Sequence, residues 1–361
     1  MSGTSCADDL RWSRVRSRLW DAAVPVSGGI EITRRCNLRC VHCYVGGERT
    51  APPAGKGELD TPAWLALLDD MAAAGCLDLL ITGGEPLLRP DFAAIYTRAR
   101  ERGMLVSLFT NATIVEPRTI ALLRDLPPLS VEVSIYGATA ATHELVTGAP
   151  GSFAAVRRGL ALLADAGIPL TVKTMLMTLN LHELDAMVDF AKQLGARWRL
   201  DPALTPRLDG DRSPLAYRVP PATAARCEIP DEERMRLWRN QYERGLAAAP
   251  SERLYTCGAG VTNFHIDPYG TLLPCVIAKA PARDLRREDF GAAWRAVVDG
   301  IAAIGARAGY PCNACDKKNI CGLCPPFAEL ESGFADEPPA YLCELGDRRK
   351  ELLYARTHGE R

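Results

Sequence analysis

The sequence predicts an α/β protein, a partial (β/α)6 barrel followed by a cysteine-rich C-terminal domain. From about residue 28 to residue 205, short apolar runs rich in β-branched residues alternate with longer helical patterns. Such a rhythm requires a parallel sheet with helical crossovers. Seven of the thirteen cysteines then crowd between Cys257 and Cys343. Six strands are too few for a closed eight-stranded barrel, so we expect an open, curved sheet; a flat doubly wound sheet is the alternative.

The strands predicted from these runs are, in order, GGIEIT, LDLLIT, MLVSLFT, LSVEVSI, LTVKTML and ARWRL. The stretch TPAWLALLDDMAAAG predicts a helix capped by Thr61 and ended by Gly75. The stretch NLHELDAMVDFAKQLG predicts another, with Asn180 as its cap and Gly195 at its end. A helix is expected from about Asp231 to Ala249, and a further one near REDFGAAWRAVVDGIAAIGARA.

These patterns divide the chain into four parts. We expect an N-terminal extension over residues 1–28, the barrel over 29–205, a Pro-, Arg- and Asp-rich connecting segment over 206–256, and a cysteine-rich domain over 257–361. In a parallel α/β sheet, ligands gather at the carboxyl ends of the strands. Candidate site residues are therefore sought there.

The composition is that of an ordinary globular protein, with 47% hydrophobic residues, 24% charged residues and a formal net charge of -1. It gives no broad electrostatic attraction for nucleic acid or an acidic membrane, and we expect neither as a partner. No apolar run reaches the roughly 20 residues of a spanning helix. We therefore expect a cytoplasmic protein, whose thiols stay reduced and whose clustered cysteines indicate metal.

Three cysteines, Cys36, Cys40 and Cys43, follow the first predicted strand in the spacing C-x3-C-x2-C. A loop this short can place three thiolates on three corners of a cubic [4Fe-4S] cluster and leave one iron without a protein ligand. An open coordination position is a place for substrate. The spacing alone would also suit three structural cysteines, or a zinc site with a distant fourth ligand.

Other strand ends carry residues that could serve the same site. The second strand ends in TGGEP, where Gly83 and Gly84 allow close backbone approach and Glu85 can bind an ammonium group. The third ends in FTNA, which places Asn111 at the same rim, and the fourth ends in SIYG, which places Ser134 there.

Together and in this order, these motifs resemble the radical S-adenosylmethionine (radical SAM) family over about residues 28 to 205, including the ring residue His42 before the third cysteine. The resemblance implies an enzyme whose unligated iron is chelated by S-adenosylmethionine. It implies that Gly83, Gly84 and Glu85 hold the methionyl ammonium, that His42 lies against the adenine, and that Ser134 reaches the ribose or methionyl part. Lys173 is a neighbour of that site. One electron then yields a 5′-deoxyadenosyl radical, which removes a hydrogen atom from substrate.

The C-terminal cysteines contain two C-x2-C pairs, which on their own would also suit a zinc ribbon. Their overall pattern resembles the SPASM extension of radical SAM enzymes, with one departure, the two residues between Cys321 and Cys324. The resemblance implies three [4Fe-4S] clusters in all. Its inner auxiliary cluster would take Cys257, Cys275 and Cys324, and its outer one would take Cys312, Cys315, Cys321 and Cys343. The inner set lacks a fourth ligand, which leaves an open iron or a remote residue such as Cys227; some relatives have a cysteine where Ser251 stands.

The leading functional hypothesis is an oxidoreductase that matures, and crosslinks, a ribosomally made precursor peptide (a RiPP). About 28 residues precede the first strand, too few for the N-terminal peptide-recognition domain that many such enzymes carry, so a substrate that needs such a domain is expected to obtain it from a separate protein. We expect a flavodoxin, a ferredoxin or another reductase as the electron donor. One alternative is oxidation of a small molecule or of a protein side chain, as in formylglycine formation. The other is a non-catalytic iron–sulfur or zinc protein.

Overall fold

The computed structural model describes residues 6–46, 56–247 and 253–355. The strands that it places are β1 (Ser27–Glu31), β2 (Asp78–Thr82), β3 (Leu105–Thr110), β4 (Ser130–Ser134), β5 (Leu170–Met175), β6 (Arg197–Asp201), β7 (Asn263–Ile266), β8 (Thr271–Leu273) and β9 (Arg283–Asp284). The helices are α1 (Cys6–Asp21), α2 (Thr61–Ala73), α3 (Phe92–Glu101), α4 (Pro117–Asp125), α5 (Ala140–Thr147), α6 (Ser152–Asp165), α7 (Leu184–Gln193), α8 (Pro221–Glu228), α9 (Glu232–Ala247), α10 (Phe290–Ala302), α11 (Pro325–Ser332) and α12 (Ala340–Ala355).

One sheet joins all these strands in the order β6-β5-β4-β3-β2-β1-β7-β8-β9. Strands β1 to β6 are parallel and neighbours in chain order. Because parallel crossovers are right-handed, steps that all advance in one direction place the connecting helices on one face. This confirms the six βα units of a partial barrel, and it differs from a doubly wound sheet, whose strand order reverses.

The cysteine-rich part of the chain extends this sheet. Strand β7 pairs in parallel with β1, from Ser27↔Asn263 to Ile30↔Ile266, and β8 and β9 continue it antiparallel. The boundary at residue 257 stays a prediction, but the residues after it complete the sheet on which the barrel is built. No element of the sequence pattern had indicated this pairing.

The helix-facing side of the sheet forms the main core. Alternate strand residues such as Leu79, Ile81 and Val133 are completely buried. They pack with Trp64 and Leu160 of the surrounding helices in one apolar cluster. Each fully buried side chain of this size contributes about 1.5–3 kcal/mol. The opposite side of the sheet carries polar residues and faces the cavity described below.

Several local predictions need correction. Asp60, rather than Thr61, caps α2, because its carboxylate accepts from the backbone N–H of Ala63 at 3.0 Å. The Asn180 side chain accepts from Met177 N–H at 2.9 Å, and α7 begins only after a short 3-10 turn. The connecting segment also contains α8, which the sequence pattern did not predict.

The expected helix from Asp231 ends, as described, at Ala247, and Ser251 lies outside the described residues. Across the described part of the chain, no helix has both the length and the apolar character needed to span a lipid bilayer.

Candidate active site

A cavity of about 380 Å³ opens at the carboxyl ends of the parallel strands. It brings together most of the residues predicted from separate motifs. The predicted residues in its wall are Cys36, Cys40, His42, Cys43, Gly83, Gly84, Asn111, Ser134 and Lys173. The motifs thus form one site, as their positions at strand ends indicate.

The cysteine loop is held by backbone contacts to the α5 region. Arg39 N–H donates to Thr147 O at 2.8 Å, and Val41 N–H donates to Val146 O at 3.0 Å. Within the loop, Leu38 N–H donates to Cys36 Sγ at 3.4 Å. An N–H group directed at sulfur favours the thiolate, which is the form that binds metal. Three thiols in one cavity wall fit a cluster with three protein ligands.

Gly83 and Gly84 are required by the cysteine loop itself. A Cβ on Gly84 would lie 2.3 Å from the carbonyl oxygen of Arg35, and a Cβ on Gly83 would lie 2.5 Å from that of Thr33. At this contact Gly84 N–H donates to Thr33 O at 2.7 Å. The glycines therefore allow the end of β2 to pair with the loop that begins the cysteine motif, while also lining the cavity.

Glu85 lies behind the cavity wall and is completely buried. Its carboxylate accepts from Thr110 Oγ1 at 2.7 Å, from Asn111 N–H at 2.7 Å and from Leu87 N–H at 3.1 Å. Burial raises the pKa of Glu85 to about 7, although these three donors act in the opposite direction. In this structure Glu85 ties the end of β2 to the end of β3, and so positions Asn111.

His42 and Ser134 both lie beside Tyr136. The His42 and Tyr136 rings form an edge-to-face pair with centroids 4.6 Å apart. Burial is the main cause of the strongly raised pKa of Tyr136, and the nearby Ser134 hydroxyl acts in the opposite direction. An aromatic pair with a hydroxyl beside it can take a flat heteroaromatic ring and a sugar.

Lys173 projects from β5 into the cavity, opposite Ser134 in register. Its ammonium lies 3.1 Å from the centroid of the Phe109 ring. Burial lowers the pKa of Lys173 to about 7, assisted by Arg199 and opposed by Glu132 and Asp201. A cation in this position suits an anionic group of a ligand.

A network around Glu31 was not predicted from the sequence. The buried Glu31 carboxylate accepts from the Tyr44 hydroxyl, pairs with Arg34 at 2.9 Å, and lies 3.8 Å from Nε2 of His265 on β7. Burial opposes its ionisation, but His265, Arg34 and Tyr44 outweigh burial and lower its pKa. Tyr44 and His265 also line the cavity. The only sequence signal was an acidic residue in an otherwise apolar strand.

The C-terminal cysteines fall into two groups, and within each group the thiols are close enough to interact electrostatically. Cys257, Cys275 and Cys324 lie within reach of one another, and Cys312, Cys315, Cys321 and Cys343 form the other group. Burial raises the pKa of Cys275 and Cys321, and that of Cys324 to about 12. A buried thiolate is costly unless a cation compensates it, so these groups fit metal ligands by donor type. Cys227 instead neighbours Arg226, Asp185 and Glu228.

Among the described residues, no three His, Cys, Asp or Glu side chains converge as closely as a single metal ion requires. In a cubic cluster each thiolate binds a different iron, so the ligands surround a larger centre than a single ion.

A second cavity of about 360 Å³ lies between α9, the Cys321 loop and the end of β6. It shares Asp201, Ala203 and Thr205 with the first cavity. The segment 201–205 is therefore a common wall between the barrel mouth and the C-terminal extension.

Comparison with known proteins agrees with this geometry. Residues 30–191 match the Radical SAM superfamily. The chain is 30% identical over 347 residues to the AdoMet-dependent heme synthase of Methanosarcina barkeri, covering 88% of this chain and 96% of that protein. It is 30% identical over 322 residues to the PqqA peptide cyclase of Ruegeria pomeroyi, covering 82% and 81%.

Two solved structures share the fold. Streptococcus suis SuiB bound to its precursor peptide SuiA superposes with a TM-score of 0.71 at 16% identity, covering 95% of this chain and 82% of that one. Native anSMEcpe with bound AdoMet superposes with a TM-score of 0.67 at 16% identity, covering 92% and 98%.

These relatives are enzymes, which decides against the non-catalytic alternative. Membership of the Radical SAM superfamily means that this enzyme uses S-adenosylmethionine and an iron–sulfur cluster. The barrel, the three-cysteine loop and the relatives that match most of its length lead to one assignment. The chain belongs to the radical SAM superfamily, as an enzyme whose α/β barrel is followed by a cysteine-rich extension of the SPASM type.

Proposed function

We propose that this enzyme uses S-adenosylmethionine to remove hydrogen from a ribosomally made peptide and to crosslink two of its residues. The observation that carries the proposal is the pair of cavities with a common wall at 201–205. An extended chain can occupy the barrel mouth and continue toward the C-terminal extension. The similarity to the PqqA peptide cyclase supports a peptide substrate.

In this proposal Cys36, Cys40 and Cys43 hold the cluster that binds S-adenosylmethionine. When bound, this group supplies a one-electron cleavage whose 5′-deoxyadenosyl product removes a hydrogen atom from the substrate. The chain's own task is to hold the target C–H close and to exclude water. The Gly83–Gly84 backbone, which lines the cavity, meets the methionyl ammonium.

The remaining contacts follow from the cavity wall. His42 and Tyr136 hold the adenine, Ser134 reaches the ribose or methionyl part, and Lys173 pairs with the methionyl carboxylate. Asn111 borders the cluster, since its Nδ2 donates to Cys36 Sγ at 3.9 Å. Glu85 contributes by fixing Asn111, because its carboxylate is already engaged by three donors.

We further propose two auxiliary [4Fe-4S] clusters. Cys257, Cys275 and Cys324 hold the inner one, and Cys312, Cys315, Cys321 and Cys343 hold the outer one. The grouping of the cysteines supports this division, and Cys227 lies away from the inner set. Analysis should find roughly 12 Fe per chain. Bound zinc with only about 4 Fe would overturn it.

The partners of this activity are a precursor peptide, a separate peptide-recognition protein and a flavodoxin- or ferredoxin-type electron donor, in the cytoplasm and without nucleic acid or membrane. The near-balanced charge of the chain supports the last two exclusions.

A second candidate is oxidation of a small molecule that carries carboxylates. The alignment that spans 96% of the AdoMet-dependent heme synthase favours it. Arg199 lines the cavity and could hold a carboxylate of such a substrate. A third candidate function of the same site is oxidation of a protein side chain, as in formylglycine formation.

The deciding experiment incubates the reconstituted, reduced enzyme and S-adenosylmethionine with two probes. One is the small peptide encoded beside the gene, and the other is a porphyrin that carries carboxylate side chains. A peptide that loses two hydrogens, with 5′-deoxyadenosine formed, supports the proposal. Oxidation of the porphyrin with an unchanged peptide would replace the proposal by the second candidate. Absence of 5′-deoxyadenosine under several reductants would contradict both.

A further inference from the structure

We infer that His265 is the base that accepts the proton released by the substrate during oxidation. The inference rests on the proposed function. His265 lies on β7, the strand between Cys257 and Cys275, and it lines the wall of the barrel cavity. It therefore faces the same cavity as the cysteine loop of the barrel, from the strand that joins two of the inner cysteines in the chain.

A base is required by the balance of the reaction. Joining two C–H or X–H positions removes two hydrogens from the substrate. One leaves as a hydrogen atom to the deoxyadenosyl radical. The other leaves as a proton and an electron, so the step also needs a base and a one-electron oxidant, here an oxidised iron–sulfur cluster of the C-terminal cysteines.

The surroundings of His265 suit this role. The residue is 4% exposed, and its Nε2 is directed at the buried Glu31 carboxylate, 3.8 Å away. Its Nδ1 lies over Gly29, where a Cβ would come within 3.1 Å of that nitrogen. The absence of a side chain at Gly29 leaves room for the imidazole in the cavity wall. A histidine backed by a carboxylate on one nitrogen can receive a proton on the other.

The charged and titratable groups around His265 include Glu31 on β1 and, bound to the same carboxylate, Arg34 and Tyr44 of the cysteine loop. Glu31 remains available to stabilise the imidazolium that forms. Other titratable side chains also line this cavity, among them His42, Lys173 and Asp201. His42 and Lys173 stand in the part of the wall assigned to the cofactor, and Asp201 stands on β6, an edge strand separated from β7 by five others.

The test compares the holoenzyme with His265→Asn, His265→Gln and the control His182→Asn, whose side chain is 66% exposed. We expect 5′-deoxyadenosine formation close to wild type in all of them. In both His265 variants, crosslinked peptide should fall by about 100-fold or more, the scale of lost general-base catalysis. Freeze-quenched samples of these variants should accumulate a substrate-centred radical, seen by electron paramagnetic resonance, that the wild type and His182→Asn do not show.

Labelled peptide should bind the His265 variants with unchanged affinity, which separates the role from a structural one. Equal crosslinking by His265→Asn and wild type would overturn the inference and leave the proposed function standing. Loss of 5′-deoxyadenosine in both His265 variants, with iron content intact, would also overturn it, because His265 would then act on the cofactor. No conversion of peptide by the wild-type enzyme would overturn the proposed function and this inference together.

Discussion

The Glu85 carboxylate accepts the backbone N–H of Asn111 at 2.7 Å. This bond joins the ends of two neighbouring strands directly behind the cavity. Glu85→Gln would turn an amide N–H₂ toward one of three donors. We expect a loss of about 1–3 kcal/mol in unfolding free energy, the cost of an unsatisfied buried group. Urea denaturation measures this loss, and an unchanged unfolding midpoint in Glu85→Gln would contradict the contact between Glu85 and Asn111.

The same residue predicts a pH dependence of stability. Burial raises the pKa of Glu85 from 4.5 to about 7. Between these values the unfolded chain has released a proton that the native chain retains, so this group's contribution to stability falls as the pH rises through this window. The stability difference between wild type and Glu85→Gln should therefore shrink from pH 4.5 to pH 7. A difference that grows would show that the carboxylate is ionised throughout.

Gly84→Ala should displace the cysteine loop. Its Cβ would lie 2.3 Å from Arg35 O and 2.6 Å from Arg34 O, both backbone atoms that cannot move aside cheaply. We expect loss of roughly 4 Fe per chain, the barrel cluster alone. Gly57→Ala is the matched control, because nothing lies within 4 Å of its Cβ position. Full iron content in Gly84→Ala would refute the required close approach.

Lys173 predicts how binding of S-adenosylmethionine depends on pH. Burial lowers its pKa to about 7, so its ammonium loses charge as the pH rises above that value. Affinity for S-adenosylmethionine should weaken several-fold from pH 7 to pH 9. Lys173→Arg keeps its charge over this range and should flatten the dependence. Equilibrium dialysis measures it; an identical slope in both proteins would exclude Lys173 from the carboxylate contact.

The buried pair of Arg349 and Glu228 joins α12 to α8, with Nη2–Oε1 and Nε–Oε2 distances of 2.7 and 2.8 Å. Removing one partner leaves a buried charge, so Glu228→Ala should cost about 3–5 kcal/mol. Arg348→Ala, at a partly exposed pair, should cost about 0–1 kcal/mol. Similar unfolding midpoints for Glu228→Ala and Arg348→Ala would contradict this difference.

Arg349 also donates to Ile320 O at 2.6 Å, beside Cys321. Glu228→Ala should therefore also lose iron from the outer group of cysteines.

The barrel part of the fold could be predicted from the sequence because the patterns that predict it are local in the chain. Each strand is a short apolar run, and each motif follows its strand directly, so one rule about strand ends collects Cys36, Gly83, Asn111 and Ser134 into one site. The β7–β1 pairing, the Glu31–His265 contact and the Arg349–Glu228 pair join distant parts of the chain. Nothing in the periodicity around Glu31 or His265 encodes which residue each one meets. Similarly, Asp60 and Thr61 are both good caps, and only the backbone geometry chooses between them.

The pairing of β1 with β7 has a consequence for the order of assembly. The strand that precedes the cysteine loop is made first, yet its neighbour on one side is synthesised only after most of the chain has left the ribosome. Until then the edge of β1 remains open, and such edges attract other chains. Contacts between distant segments also form slowly. We therefore expect iron–sulfur assembly factors to meet a nascent barrel in which the edge of β1 is still unpaired. Early insertion of a cluster into the cysteine loop would then compete with association of this edge with other chains.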